Sequence, residues 1–257
     1  MKQFNKEKIV IFGGAGLLGS AVADGLADMN ACPIIVDTNV ASGSKVVDKI
    51  IKKNQTAEFY RADLSKVEDI VGIIDAIEIA YGEISAWVLS FYPRTDDWGL
   101  KLEDMPMESW RANVDMHMNG ICLCASEVAK RMAHRAGGSI VTIGSIYGIV
   151  APNFRNYEGT NMTSPAAYSA IKGGVSAYTK YLASYYGLNN VRVNTVIPGG
   201  IINNQAKEFL QLYNSKTCLG RLARPSEVAN AVIFLLSDDS SYIAGIDLPV
   251  DGGYLAL

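Results

Sequence analysis

The sequence predicts an α/β fold, a doubly wound parallel sheet of about seven strands with helices on both faces. Two observations carry that expectation. Short, continuously apolar runs alternate with longer helical patterns along all 257 residues. Strands covered on both faces by helices read as such runs. A glycine-rich turn, Gly13-Gly14-Ala15-Gly16-Leu17-Leu18-Gly19, separates the first apolar run from the first helical pattern. No Pro/Gly-rich linker, charge block or internal repeat marks a second domain, so residues 1–257 are expected to fold as one.

Strands are expected at residues 9–12, 32–36, 58–61, 86–89, 139–143, 191–197 and 248–250. Helical periodicity covers about 17–29, 40–54, 66–80, 108–135, 167–186 and 227–236. Pro225-Ser226-Glu227 is the start signal of the last helix. Strictly alternating elements imply right-handed crossovers between parallel strands. Two stretches exceed what connections require. Residues 148–165 carry Asn153, Arg155, Tyr157, Glu158 and Asn161, and residues 201 to about 220 follow Pro198-Gly199-Gly200. Both follow strand ends, where open α/β sheets bind ligands, and both read as substrate-covering loops.

Composition narrows the function classes. With 49% hydrophobic and 19% charged residues the chain fills a core. A net charge of −3 leaves no basic surface for nucleic acid. The cysteines Cys32, Cys122, Cys124 and Cys218 lack metal-ligand spacing and read as buried free thiols in a reducing compartment. No bound metal is expected. The N-terminus shows no signal-peptide pattern, and no apolar run reaches the roughly 20 residues that span a bilayer. A soluble, cytoplasmic protein is expected.

The glycine-rich turn lies between strand and helix, the context in which glycines let backbone approach a pyrophosphate at a helix N-terminus. Asp37 ends the second strand, 18 residues after Gly19. A carboxylate there accepts from ribose hydroxyls and repels a 2′-phosphate, and Thr38 and Asn39 bring no compensating cation. NAD(H) is therefore expected over NADP(H). Asp63 closes the third strand, where it can accept from the adenine amino group or cap the helix that begins near Lys66.

Tyr168 and Lys172 stand four residues apart in a helical pattern, on one face. An ammonium beside a phenol stabilises the phenolate and lowers its pKa from about 10, which lets a tyrosine exchange protons near neutrality.

With these features in place, the whole chain resembles the short-chain dehydrogenase/reductase family, whose fold is Rossmann-like. Ser145 in Thr142-Ile143-Gly144-Ser145 matches the family's catalytic serine, and Tyr168 and Lys172 match its tyrosine and lysine. Arg192-Val193-Asn194-Thr195-Val196-Ile197-Pro198-Gly199 matches the segment beside the nicotinamide. Gly220-Arg221 with Pro225 and Val250-Asp251-Gly252-Gly253 match the C-terminal pattern. The resemblance implies a cofactor site of Gly13, Gly16, Leu17, Leu18, Gly19, Asp37, Asp63, Leu64, Ser90, Tyr168, Lys172, Pro198, Gly199 and Ile201. It also implies a homotetramer or homodimer paired through the helices at 108–135 and 167–186, which carry apolar residues on more than one face.

Three departures stand out. Phe12 replaces the threonine before the first glycine, and Leu89-Ser90-Phe91-Tyr92 replaces the usual Asn-Asn-Ala-Gly. His117 aligns with the asparagine of the family's proton relay. It reads either as a relay member whose protonation varies near pH 6–7 or as a hydrogen-bonded structural histidine. The Tyr92-Pro93-Arg94 turn and the loop from Tyr157 to Thr163 resemble a narrower set, the oxidoreductases of bacterial surface-sugar and flagellin-modification pathways. That resemblance implies a sugar-derived substrate met by Arg94, Asn153, Arg155 and Tyr157. The expected activity is hydride transfer between NAD(H) and a secondary alcohol or ketone. A 3-oxoacyl thioester reductase and a catalytically silent NAD-binding scaffold are the alternatives.

Overall fold

In the computed structural model, which describes residues 3–159 and 163–257, seven parallel strands form one sheet in the order β3-β2-β1-β4-β5-β6-β7. These are β1 (Lys8–Phe12), β2 (Cys32–Asp37), β3 (Glu58–Arg61), β4 (Ala86–Leu89), β5 (Gly138–Ile143), β6 (Val191–Pro198) and β7 (Asp247–Val250). The order reverses between β1 and β4, which leaves a crevice at their C-terminal ends. Every expected strand is present, within a residue or two at each end.

The period of two in a strand divides the core into two layers. Val10, Phe12, Ile34 and Val36 face one layer with α3 (Ile70–Tyr81), α5 (Gly120–Ala133) and α6 (Ala166–Tyr186). Ile9, Ile11 and Ile35 face the other with α1 (Leu17–Asp28) and α8 (Pro225–Leu236). Phe12 and Phe91, two of the unusual residues, explain each other. Phe12 packs edge-on against Trp87 at 5.3 Å and Phe91 at 6.2 Å between ring centroids. Such pairs contribute about 0.5–1.5 kcal/mol each beyond their burial.

The structure corrects the sequence reading in three places. The helix expected at 108–135 is broken into α4 (Met107–Asn113), a π-helical turn (Val114–Asn119) and α5. The long loop after β6 contains α7 (Lys207–Asn214), whose N-cap Ala206 offers no capping side chain and so no start signal. The thiols are not uniformly buried: Cys124 is, Cys32 and Cys122 are half-buried, and Cys218 is exposed. Asn161 lies outside the described residues. Among those described, no helix is long and apolar enough to cross a membrane.

Candidate active site

At the crevice the β1–α1 turn is held against two neighbours. Gly13 and Gly14 donate to the Val36 carbonyl at 2.9 and 3.2 Å. Gly13 adopts φ +78°, and a Cβ there would stand 2.7 Å from the Phe91 backbone. A Cβ on Gly19 would meet the Gly13 carbonyl at 2.2 Å. No side chain caps α1 at Gly16, and Leu17 is exposed beside it while Leu18 is buried. A bare turn leading into an uncapped helix start fits a dinucleotide's pyrophosphate.

Asp37 stands at this turn. Its Oδ2 accepts from Ala15 N at 3.1 Å and its Oδ1 from Asn39 N at 3.0 Å. The carboxylate is thereby fixed at the C-terminal end of β2. Asp63 instead forms a local turn, its Oδ1 accepting from Ser65 N at 3.0 Å and Ser65 Oγ at 2.7 Å, and these bonds hold its carboxyl below the usual range. That contact is the local alternative to an adenine acceptor. Leu64 is a buried core side chain. Ser90 N donates to Phe12 O at 2.9 Å, which seats the end of β4 beside the glycine turn. Pro198 ends β6, Gly199 N donates to Val250 O at 3.1 Å, and Ile201 bridges to Ala223.

Ser145, Tyr168 and Lys172 come together at the ends of β5 and α6. Ser145 is buried at the start of a short 3₁₀ turn (Ile146–Gly148), where its Oγ accepts from Tyr147 N at 3.2 Å. It also hydrogen-bonds Tyr168. Burial pushes the Tyr168 hydroxyl above its ordinary pKa, and the Ser145 bond opposes that rise. Lys172 lies one turn further on, its Nζ 5.7 Å from the Tyr168 ring centroid. It donates to Ile143 O at 2.8 Å, and burial alone pulls its pKa down to about 7. The expectation that Lys172 depresses the tyrosine is therefore not met in this geometry. Its ammonium is aimed at the β5 backbone, and desolvation dominates both groups.

His117 differs from both of its sequence readings. It lies in the π-helical turn, fully buried, and neither ring nitrogen has a hydrogen-bond partner among the described residues. Burial, reinforced by Lys172, pushes its pKa down to about 2. The expected titration near pH 6–7 is thus overturned, and the imidazole stays neutral. π-Helical turns are rare and often fall at functional sites.

The sequence reading missed the aromatic lining. Tyr92 lies 4.8 Å from His117 and 5.9 Å from Tyr168, ring centroid to centroid, and Lys172 Nζ is 5.6 Å from its ring. Trp98 lies 6.3 Å from Tyr168. The Arg94 guanidinium carbon lies over the Tyr92 ring, 5.5 Å from its centroid. Tyr157 belongs to the site as well, packed in one cluster with Tyr147, Tyr168, Phe209 and Tyr213, and its hydroxyl donates to Tyr147 Oη at 3.4 Å. Asn153 spends its Oδ1 on Arg155 N at 3.2 Å, and Arg155 is exposed. The polar mouth expected from Arg94, Asn153 and Arg155 is therefore, next to Tyr168, an aromatic wall. Two aromatics in the polar loop directly after a strand end were the available signal.

Comparison with known proteins decides the family. The family model described as "Enoyl-(Acyl carrier protein) reductase" matches residues 14–255. The chain belongs to the short-chain dehydrogenase/reductase family. It is 32% identical to "Post-translational flagellin modification protein A" of Campylobacter coli, over 97% of this chain and 98% of that one. It is 29% identical to "Cis-4-hydroxycyclohexanecarboxylate dehydrogenase" of Sinomonas cyclohexanicum, over 99% and 98%. A solved short-chain type dehydrogenase/reductase from Mycobacterium marinum superposes with a TM-score of 0.86 at 26% identity, covering 99% of this chain and 97% of that one. The protein is an oxidoreductase of the type that acts on alcohol and ketone groups, in a fold that binds a nicotinamide cofactor.

Proposed function

We propose that this short-chain dehydrogenase/reductase transfers hydride between NAD(H) and a secondary alcohol or ketone borne on a saturated ring, with a sugar derivative of a surface-glycan or flagellin-modification pathway as the first candidate. The observation that carries the reading is the Ser145–Tyr168–Lys172 cluster beyond the C-terminal end of β5. A bound nicotinamide supplies or accepts the hydride. In alcohol oxidation Tyr168 Oη takes the hydroxyl proton, and in ketone reduction it returns one. Ser145 Oγ holds the substrate oxygen and stabilises charge that develops on it. Lys172 holds the nicotinamide ribose, and its charge favours the phenolate once its ammonium turns towards Tyr168. The flagellin modification relative supports a place in flagellin modification. The aromatic lining and the cyclohexanecarboxylate relative favour a second reading, an alicyclic alcohol. Initial rates with NAD+ across nucleotide-linked sugars, alicyclic alcohols and 3-hydroxyacyl thioesters test the assignment, and activity confined to the thioesters would overturn it.

The NAD preference rests on Asp37. A 2′-phosphate beside its fixed carboxylate brings like charges about 4 Å apart, worth ~1–4 kcal/mol, so NADH should bind about fivefold or more tighter than NADPH. Asp37→Ala combined with Thr38→Arg should erode that margin in a fluorescence titration. Equal or tighter NADPH binding by the wild-type protein would refute the preference.

His117 is proposed as a neutral relay member, holding a water that serves Lys172. Two unpaired ring nitrogens in a buried site support this, since each unsatisfied group costs roughly 1–3 kcal/mol. His117→Leu should lower kcat roughly tenfold or more. His117→Asn should retain much of the activity. Because the ring stays neutral, neither substitution should remove an inflection near pH 6–7. Normal turnover by the leucine variant would make His117 structural.

A homotetramer or homodimer is proposed for the assembly. Tyr178, Tyr181 and Tyr185 stack in series on α6 at 5.7 and 5.9 Å, and the last two are exposed, which is support for pairing through this helix. Sedimentation at micromolar concentration checks it, and a 27.7 kDa species alone would contradict it.

A further inference from the structure

We propose that Tyr92 and Trp98 determine substrate specificity, forming a preset aromatic wall against which the C–H face of the substrate's saturated ring packs. The proposal rests on the hydride-transfer reading above and adds what the site recognises. Both rings meet the ring of Tyr168 edge-on, at interplanar angles of 82° and 79°. They also meet each other at 5.9 Å and 85°. Tyr92 is 37% exposed, so the residue is not sealed into the core.

The wall's polar atoms are already engaged with one another. Trp98 Nε1 donates to Tyr92 Oη at 2.9 Å. The indole has no second N–H, so it offers a ligand only its π surface. A polyol's hydroxyls find no donor on the indole, while a saturated ring with an apolar face loses water on packing there.

The loop that carries the pair is pinned on its far side. Asn113 is buried, accepts from Thr95 N at 3.0 Å and donates to Thr95 Oγ1 at 2.7 Å. Buried Ser109 donates to Asp97 Oδ1 at 2.7 Å. Thr95 and Asp97 lie between the two aromatics in sequence, so these bonds hold both ends of the wall in register with Tyr168. Preset aromatic surfaces lose little entropy on binding, which is how rigid aromatic side chains serve as anchors. The selected chemistry is a ring of five or six members with one apolar face, whether alicyclic or carbohydrate.

The test compares cyclohexanol and myo-inositol, a plain and a polyhydroxylated ring, with the acyclic 2-butanol, all with NAD+. The preference for the better ring over 2-butanol, in kcat/KM, should fall roughly tenfold in Trp98→Ala, mostly through KM. Tyr92→Phe, which keeps the ring and loses the hydrogen bond, should retain most of that preference. A second readout does not need turnover. Cyclohexanone with NAD+ is an unreactive pair, and its binding should quench tryptophan emission saturably in the wild type and not in Trp98→Phe. Trp87 is core-buried, and Trp110 is not among the rings packed at Tyr168. Turnover of all three alcohols with a ring preference that Trp98→Ala leaves unchanged would overturn the wall while leaving hydride transfer intact. Saturable quenching without oxidation of any alcohol would support the wall and sink the hydride reading instead.

Discussion

Tyr168→Phe is expected to lower kcat by roughly 10²–10⁴-fold, the usual contribution of a positioned proton donor or acceptor, with NADH affinity nearly unchanged. The substitution deletes one oxygen. Phenylalanine keeps the edge contacts that the ring makes with Tyr92 and Trp98, so the local packing survives. What disappears is the hydroxyl bonded to Ser145. That bond is worth about 1 kcal/mol to stability, so the melting point should barely move. Because burial raises the pKa of the hydroxyl, wild-type alcohol oxidation should speed up as pH rises and phenolate accumulates. The phenylalanine variant should lose that dependence along with its rate. Retention of more than a tenth of wild-type kcat would place the proton exchange elsewhere.

The fold was legible in the sequence for a simple reason. Every strand of a doubly wound sheet is buried on both faces, so its apolar run stands out whatever the neighbouring loops do. The alternation of elements implies parallel strands with right-handed crossovers, and the glycine turn marks the ligand end of the sheet. The strand order itself is seen only in the structure. The helix expected at 108–135 shows where periodicity stops informing. The π-helical turn lies inside a continuous run of helical residues and itself holds no glycine or proline that would mark a break, so the sequence reads through it. α7 was hidden for a related reason, since its start carries no capping side chain.

Within the site, residue types and spacing placed Ser145, Tyr168 and Lys172 together, but not the direction of their electrostatics. A spacing of four puts Tyr168 and Lys172 on one face, yet the Lys172 ammonium reaches Ile143 O instead of the phenol. Whether a lysine lowers a tyrosine's pKa depends on burial, which spacing does not encode. The same holds for His117. As an isolated residue it suggests a group that titrates near neutrality, and only its burial, reinforced by the nearby Lys172 charge, keeps it neutral.

Lys172→Met is expected to destroy activity and to raise stability, and the second effect should depend on pH. The lysine has an ordinary pKa of 10.5 when unfolded and one of about 7 when folded, because burial disfavours its charge. Below about pH 7 both states hold the proton, and the folded state bears the full desolvation cost. Between about 7 and 10.5 the unfolded chain binds more protons, so wild-type stability rises with pH. Above that range the cost is gone. A neutral thioether of similar length removes the cost at every pH. The gain should therefore be largest near pH 6.5 and shrink towards pH 10. A shift of this size corresponds to a few kcal/mol at most. Losing the bond to Ile143 O takes back about 1 kcal/mol, and the aromatic faces of Tyr92 and Tyr168, 5.6 and 5.7 Å from the ammonium, take back part of the rest. The remainder is on the order of 1–2 kcal/mol, or a melting point higher by roughly 2–8 °C. Thermal melts of both proteins at several pH values measure it. A methionine variant that melts at or below the wild-type temperature near pH 6.5 would mean that Lys172 is better solvated or paired than its surroundings imply. A variant that gains stability while losing NADH binding and turnover would mark Lys172 as a charge held in the core for function, at the expense of stability.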